Sequence, residues 1–251
     1  MSELVTHERR GRVLVVRLQR AWKANAVDRA LADALDAALN RLEDEDELLV
    51  GVLTGTTRVF SAGSDLTARG DYDTERGGEY GLIRRRRAKP LIAAVEGVAL
   101  GGGMEMVLAC DLVAASTTAR FGLPEPGVGV VATCAGLFRA PRALPLNLAR
   151  ELLLTGVPID ADRAHAVGFV NVLTEPGGAL EAAVALAERI CANAPGSVRA
   201  TLAAIDEVVS ADDPRGWEAT RRALAAVDGT ADQREGIAAF LEGRTPTWRD
   251  A

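Results

Sequence analysis

The segment KPLIAAVEGVALGGGMEMVLACD, residues 89–111, constrains this chain more than any other. Residues 90–95 join a proline to small apolar and β-branched side chains, which predicts a buried strand. Glu96-Gly97 interrupts it, Val98-Ala99-Leu100 extends it, and Gly101, Gly102 and Gly103 follow before a helix-forming run at 104–110. Strand, glycine triplet and helix bring bare backbone N–H groups toward a ligand. The first N–H groups of a helix lack internal partners, and the macrodipole adds positive potential there. Such a site favours an anion, or an oxygen becoming one. The same glycines also suit close packing of strand against helix, so alone they serve either reading. Glu105 tips the balance toward chemistry, because it sits between Met104 and Met106 at the head of an apolar helix. That placement predicts a partly buried acid beside the anion site.

Composition narrows the class. A chain of 251 residues with 48% hydrophobic and 25% charged residues buries a sizeable core and reads as a soluble globular protein. Its net charge of -6 argues against nucleic acid as a partner. Cys110, Cys134 and Cys191 are odd in number and set among apolar residues, which suits reduced thiols and an intracellular compartment. Residues 1–13 hold no signal-peptide core and no run reaches membrane-spanning length, so the expectation is a cytoplasmic protein without membrane contact.

Periodicity orders the rest. Residues 13–18 and 48–54 read as strands, and 30–42 as a helix with leucines at 31, 35, 39 and 42. Residues 67–81 read as a polar, mobile loop over the site. The arginines at 84–87 read as a solvated helix face, with phosphate binding the alternative. Residues 112–115 continue the strand pattern, and 121–129, FGLPEPGVG, form a stiff loop in which Pro126 biases Glu125 to an extended backbone. Helices follow at 135–144, 146–154 and 161–167, with a strand near 169–173. Beyond 179 the pattern is helical only, at 180–193, 198–209, 217–227 and 232–241. The shift near 175–178 divides the chain into an α/β core, 1–177, and a helical C-terminal region, 178–251.

Glu105 and Glu125 are candidates for an acid–base pair. Converging on one place, they would titrate together and hold a water between them. Other chemistries lack their motifs. Met106 stands where a dinucleotide fingerprint needs its third glycine, no Gly-Lys-Ser/Thr phosphate loop occurs, and no nucleophile elbow with a nearby histidine is present. His7 and His165 have no metal-ligand spacing around them and read as surface or helix residues, so no metal is expected.

Five segments in register carry a family resemblance: FSAGSDL at 60–66, AAVEGVALGGGMEM at 93–106, FGLPE at 121–125, TGVPIDADRAHAVGFVN at 155–171 and DQREGIAAFLEGRTP at 232–246. Over residues 13–246 the chain resembles the enoyl-CoA hydratase/isomerase family, the crotonase superfamily. The resemblance implies a crotonase-like spiral of ββα units with a helical C-terminal extension that builds homotrimers or dimers of trimers. It implies an acyl-CoA thioester substrate and no cofactor beyond the coenzyme A of the substrate itself. The thioester oxygen would sit between the backbone N–H groups of Ser64 and Gly102, with Glu105 as base on a water and Glu125 as proton donor to Cα. Substrate contacts would come from Lys23, Ala24, Ala62, Asp65, Leu66, Gly101, Thr133 and Arg244. Lys23 and Arg244 would reach coenzyme A phosphates or else be surface cations, Trp22 would stack at the adenine end or cover the core, and Thr133 replaces a usual glycine. The implied reaction is syn hydration of a 2-enoyl-CoA. The alternatives are double-bond isomerisation or another enolate-forming reaction, or a catalytically weak acyl-CoA-binding protein. Two retained glutamates argue against a mere binder.

Overall fold

A computed structural model describes residues 3–68 and 72–249. Two sheets and a layer of helices arise by repetition of one pattern. The strands β1 (Val5–Arg10), β2 (Val13–Leu18), β3 (Val50–Thr54) and β4 (Val59–Ser61) open the chain, with helix α1 (Arg29–Asp44) between β2 and β3. A small hairpin, β5 (Asp73–Thr74) and β6 (Gly78–Glu79), precedes β7 (Leu91–Val95), β8 (Val98–Leu100) and helix α2 (Gly102–Leu108). Then come β9 (Leu112–Ser116), β10 (Arg120–Gly122), a 3₁₀ turn at Glu125–Val128, α3 (Gly136–Ala143) and α4 (Leu146–Thr155). The strands β11 (Ile159–Asp160) and β12 (Val172–Thr174) flank α5 (Ala161–Ala166), and α6 (Ala179–Cys191), α7 (Pro195–Val209), α8 (Asp213–Val227) and α9 (Ala231–Glu242) complete the described chain.

The larger sheet runs β1-β2-β3-β7-β9-β12, and the smaller β11-β10-β8-β4. Each turn of the spiral sends one strand to the larger sheet and the next to the smaller: β3 then β4, β7 then β8, β9 then β10. All pairings are parallel except the hairpins at β1–β2 and β5–β6 and the β10–β11 edge. Both faces of the larger sheet are covered, which is why its strands read as unbroken apolar runs. Leu91, Ala93 and Val95 pack with the leucine stripe of α1, while Ile92 and Ala94 pack with Ala183, Val184 and Ala187 of α6. The helical C-terminal region is therefore laid on the core, with α6 forming one cover of the sheet.

Three local expectations change. The arginines at 84–87 lie on no helix and only Arg84 and Arg86 are solvated: Arg85 is buried on Asp36 at 2.5 Å and Asn40 at 2.7 Å, and Arg87 is clamped by Asp111 at 2.6 Å. Buried guanidinium groups need such partners, and sequence periodicity does not report them. Glu125 begins a 3₁₀ turn rather than an extended segment, since Pro126 sits in the first turn, where its missing N–H costs nothing. Within 67–81, read as a mobile loop, residues 73–79 form a tight hairpin, with positions 69–71 outside the described residues. Its Gly81, at φ 76°, lies so close to α1 that a Cβ there would stand 2.6 Å from the Ala32 carbonyl oxygen.

Candidate active site

Each glycine of the triplet answers to a different neighbour. Gly101 caps α2 at φ 56°, the left-handed region that bulky residues avoid. A Cβ on Gly102 would lie 2.4 Å from the Tyr80 hydroxyl oxygen, and one on Gly103 would lie 2.1 Å from the Ser61 carbonyl oxygen. Packing and site-building thus divide the triplet between them. Gly102 is the first residue of α2, so its N–H has no partner within the helix and points out of the N-terminus.

A second loop meets it there. Val27 N donates to Gly63 O at 2.7 Å, and Asp65 N donates to Val27 O at 2.9 Å. Across a trans peptide the carbonyl of Gly63 and the N–H of Ser64 point in opposite directions, so the Ser64 N–H is turned away from Val27. Gly63, at φ 87°, approaches Gly102 so closely that a Cβ on it would stand 2.6 Å from Gly102 N. Two residues from separate loops, Ser64 and Gly102, are thereby brought to the wall of one cavity.

The loops are pinned from behind. Asn25 is fully buried at φ 51°, a conformation asparagine tolerates better than most. Its side chain donates to Phe60 O at 2.9 Å and accepts from Arg20 N at 2.8 Å, while Ser61 Oγ donates to its carbonyl at 2.8 Å. Ala24, at φ 50°, accepts from Ala62 N at 3.0 Å. Arg20 joins Asp65 at 2.8 Å to Asp28, the N-cap of α1, at 2.9 Å. Asp65 is also bonded by Thr67 Oγ1 at 2.6 Å. Burial alone would raise its carboxyl, but Thr67 and Arg20 outweigh it and hold the group down at about 2. Asp65 therefore anchors the Ser64 loop.

Glu105 is buried on α2, and its Oε1 accepts from Cys134 N at 2.7 Å and Gly136 N at 2.8 Å. Those donors lie around the N-terminus of α3, where Ala135 takes φ 79°. Glu125 has one carboxylate oxygen, Oε2, that is buried without a hydrogen-bond partner among the described residues. Burial pushes both carboxyls up from the ordinary range, Glu105 to about 8 with the charge of Glu125 as the second cause, and Glu125 to about 7. Acting on one another, they bind protons as a pair.

A cavity of about 610 Å³ joins these groups. Ser64, Gly101, Gly102, Glu105, Glu125 and Thr133 line it, as do Lys23, Ala24, Ala62, Asp65 and Leu66. Glu105 lies deep at 2% exposure, whereas Trp22, at 63%, and the half-exposed Lys23 mark the open end. Lys23 Nζ lies 3.2 Å from Thr67 Oγ1 and 3.9 Å from Asp65. Arg244 does not line the cavity; it is held by Glu235 at 2.5 Å and Glu242 at 2.6 Å. His7 lies on β1, and His165 packs its Nδ1 against Val170 O at 2.9 Å. Among the described residues, no cluster of His, Cys, Asp and Glu has metal-binding geometry.

Sequence reading missed Tyr80, which lines the deep end, and the two backbone donors that orient Glu105. The glycines on either side of Tyr80, in GGEYG, are the available sign that its backbone is held in a special shape.

Known proteins share this arrangement of the whole chain. The family model described as enoyl-CoA hydratase/isomerase matches residues 8–251. A short-chain-enoyl-CoA hydratase of Clostridium acetobutylicum is 33% identical over 245 residues, covering 94% of each chain. The 2,3-dehydroadipyl-CoA hydratase of Escherichia coli is 35% identical over 254 residues, covering 99% of each. A solved carnitinyl-CoA dehydratase from Mycobacterium avium 104 superposes with a TM-score of 0.92 at 41% identity, covering 100% of both chains. By match, by length and by fold, the chain belongs to the enoyl-CoA hydratase/isomerase family and has the crotonase architecture.

Proposed function

We propose that the protein adds water across the double bond of a 2-enoyl-CoA, with Glu105 and Glu125 as its acid–base pair. The observation that carries this reading is that two carboxyls raised by burial line the same cavity as Ser64 and Gly102. The thioester oxygen accepts from those two N–H groups, which cost no reorganisation when charge develops on it. Polarisation makes C3 electrophilic. A water held by the glutamates gives its oxygen to C3 and one proton to Glu105, while Glu125 gives its proton to C2, so the elements of one water are added. The pair ends with its single shared proton moved from Glu125 to Glu105, and exchange through solvent resets it.

The division of roles follows from hydrogen bonding. Repulsion by Glu125 contributes to the raised affinity of Glu105 for a proton. With Glu125 protonated that repulsion is gone, and the two backbone donors on Oε1 favour the charge on Glu105. Glu125, with a buried oxygen that has no donor, is the cheaper group to keep neutral. An isomerase needs one group to carry a proton between carbons; the second carboxyl supports hydration over it.

The open end, with Lys23 and Trp22, suits the nucleotide of coenzyme A, and the apolar inner wall of Val128, Val130 and Val131 suits the acyl group. No metal or cofactor enters the scheme, because two carboxyls and two N–H groups supply its acid, base and charge stabilisation. Ile205, Val208 and Val209 leave an apolar strip exposed on α7, which supports assembly into trimers. The three free thiols support a reducing, cytoplasmic setting. Among the described residues, no helix is long and apolar enough to cross a membrane.

The test is incubation of purified protein with short, long and bulky 2-enoyl-CoA esters. Loss of the conjugated-thioester absorbance together with a product heavier by one water supports the reading. Binding of all three classes without turnover, but conversion of 3-enoyl esters, would replace it with isomerisation.

A further inference from the structure

Tyr80 is a tightly held residue at the deep end of the cavity. It is 2% exposed and takes φ 58°, a strained conformation for a bulky residue. The hairpin leading to it is pressed into place, since a Cβ on Gly77 would stand 2.0 Å from the Gly81 carbonyl oxygen. Strain of this kind persists only where the surroundings enforce it. What they enforce is the position of one hydroxyl. Tyr80 Oη lies 2.6 Å from Ser64 Oγ and directly over Gly102, at the spot that denies Gly102 a Cβ. The same hydroxyl therefore touches both residues whose N–H groups line the cavity wall.

Proton counting gives the hydroxyl something to do. Tyr80 and Ser64 together carry two O–H hydrogens, and their mutual hydrogen bond uses one. The other has the Cys134 thiol within reach, which is a weak acceptor. A thioester oxygen acquiring negative charge is a far better one. Burial keeps the phenol protonated, so the hydrogen is available for donation throughout the working pH range.

Resting on the hydratase reading, we propose that Tyr80 is a further catalytic group, donating a third hydrogen bond to the thioester oxygen beside the Ser64 and Gly102 N–H groups. Ser64 Oγ donates to Tyr80 Oη, which orients the phenol and strengthens it as a donor. Ser64 thus acts twice, through its N–H on the substrate and through its side chain on Tyr80.

Two substitutions read by turnover, and a spectroscopic readout in a Glu125→Gln background, test the assignment. Tyr80→Phe keeps the ring and removes the donor, and Ser64→Ala keeps the N–H and removes the orienting hydroxyl. Tyr80→Phe is expected to lower kcat by about 10–100-fold with KM within about threefold, and Ser64→Ala to lower it less. The second readout needs no turnover. An aryl-enoyl-CoA with an electron-donating ring absorbs further to the red when its carbonyl is polarised, and it is bound to proteins carrying Glu125→Gln. The red shift should be clear with Tyr80 present and reduced in Glu125→Gln/Tyr80→Phe at saturating protein. A full red shift in that double variant, with kcat of Tyr80→Phe unchanged, would overturn the assignment and leave the hydratase reading standing. A larger loss in Ser64→Ala than in Tyr80→Phe would also overturn it. Absence of any red shift with Tyr80 present would overturn both readings.

Discussion

Glu105 Oε1 accepts a hydrogen bond from Gly136 N at 2.8 Å, across 31 residues of chain, and the space for it exists only because Gly136 has no side chain. A Cβ there would stand 2.9 Å from the same oxygen and 2.9 Å from the Ala132 Cβ. The N-terminus of α3 thus fixes one oxygen of the proposed base and leaves the other for water.

Gly136→Ala should therefore displace Glu105 while leaving the Ser64 and Gly102 loops untouched. Small misplacements of a reacting group cost on the order of 10²-fold. The expected outcome is a fall in kcat of about that size, with affinity for a saturated acyl-CoA held within a few fold in calorimetric titration.

Glu125→Gln should change stability in a pH-dependent way. The folded-state pKa of Glu125 is raised to about 7, so the folded protein binds that proton more tightly than the unfolded chain does. Wild-type stability is then lost as pH rises through about 7, where a buried, unpaired charge forms. Glutamine carries no charge at any pH. The melting temperatures of variant and wild type should agree near pH 5, and the variant should gain by a few degrees at pH 8.5, at about 2–4 °C per kcal/mol for a chain of this length. A difference independent of pH would show that Glu125 ionises freely.

The Asp65–Arg20 pair should behave in the opposite sense. Asp65 is held at about 2, so its contribution is present above the ordinary aspartate range and is lost as pH falls toward 2. Asp65→Asn is expected to cost about 2–3 kcal/mol at neutral pH, less than a fully broken buried pair because Asp28 still holds Arg20. The gap between variant and wild type in chemical denaturation should narrow between pH 4 and pH 2.

Much of this was legible in the chain itself. The strand runs at 13–18 and 90–95, the leucine stripe of α1 and the helices beyond 179 follow from apolar periodicity, which local sequence carries directly. Glu105 stands out as a charge among methionines, Glu125 as an acid in a stiff loop and the glycine triplet as an anion site, while Ser64 and the choice of Gly102 within the triplet rest on motif resemblance. What stayed hidden depends on contacts between distant segments. Nothing near 84–87 says that Arg85 will be buried on Asp36 and Asn40. The glycines around Tyr80 signal a special backbone there, but nothing local says that residues 73–79 will pair as a hairpin that delivers Tyr80 to Gly102. Arg244 reads by resemblance as a coenzyme A phosphate contact or else a surface cation, and only the fold shows Glu235 and Glu242 holding it.

The most direct test of the two-carboxyl scheme is to measure hydration and binding together in Glu105→Gln and Glu125→Gln. Each variant should bind a saturated acyl-CoA within a few fold of wild type and hydrate the best 2-enoyl-CoA about 10²–10⁴-fold more slowly. Either variant hydrating at a wild-type rate would remove that glutamate from the mechanism and contradict the account.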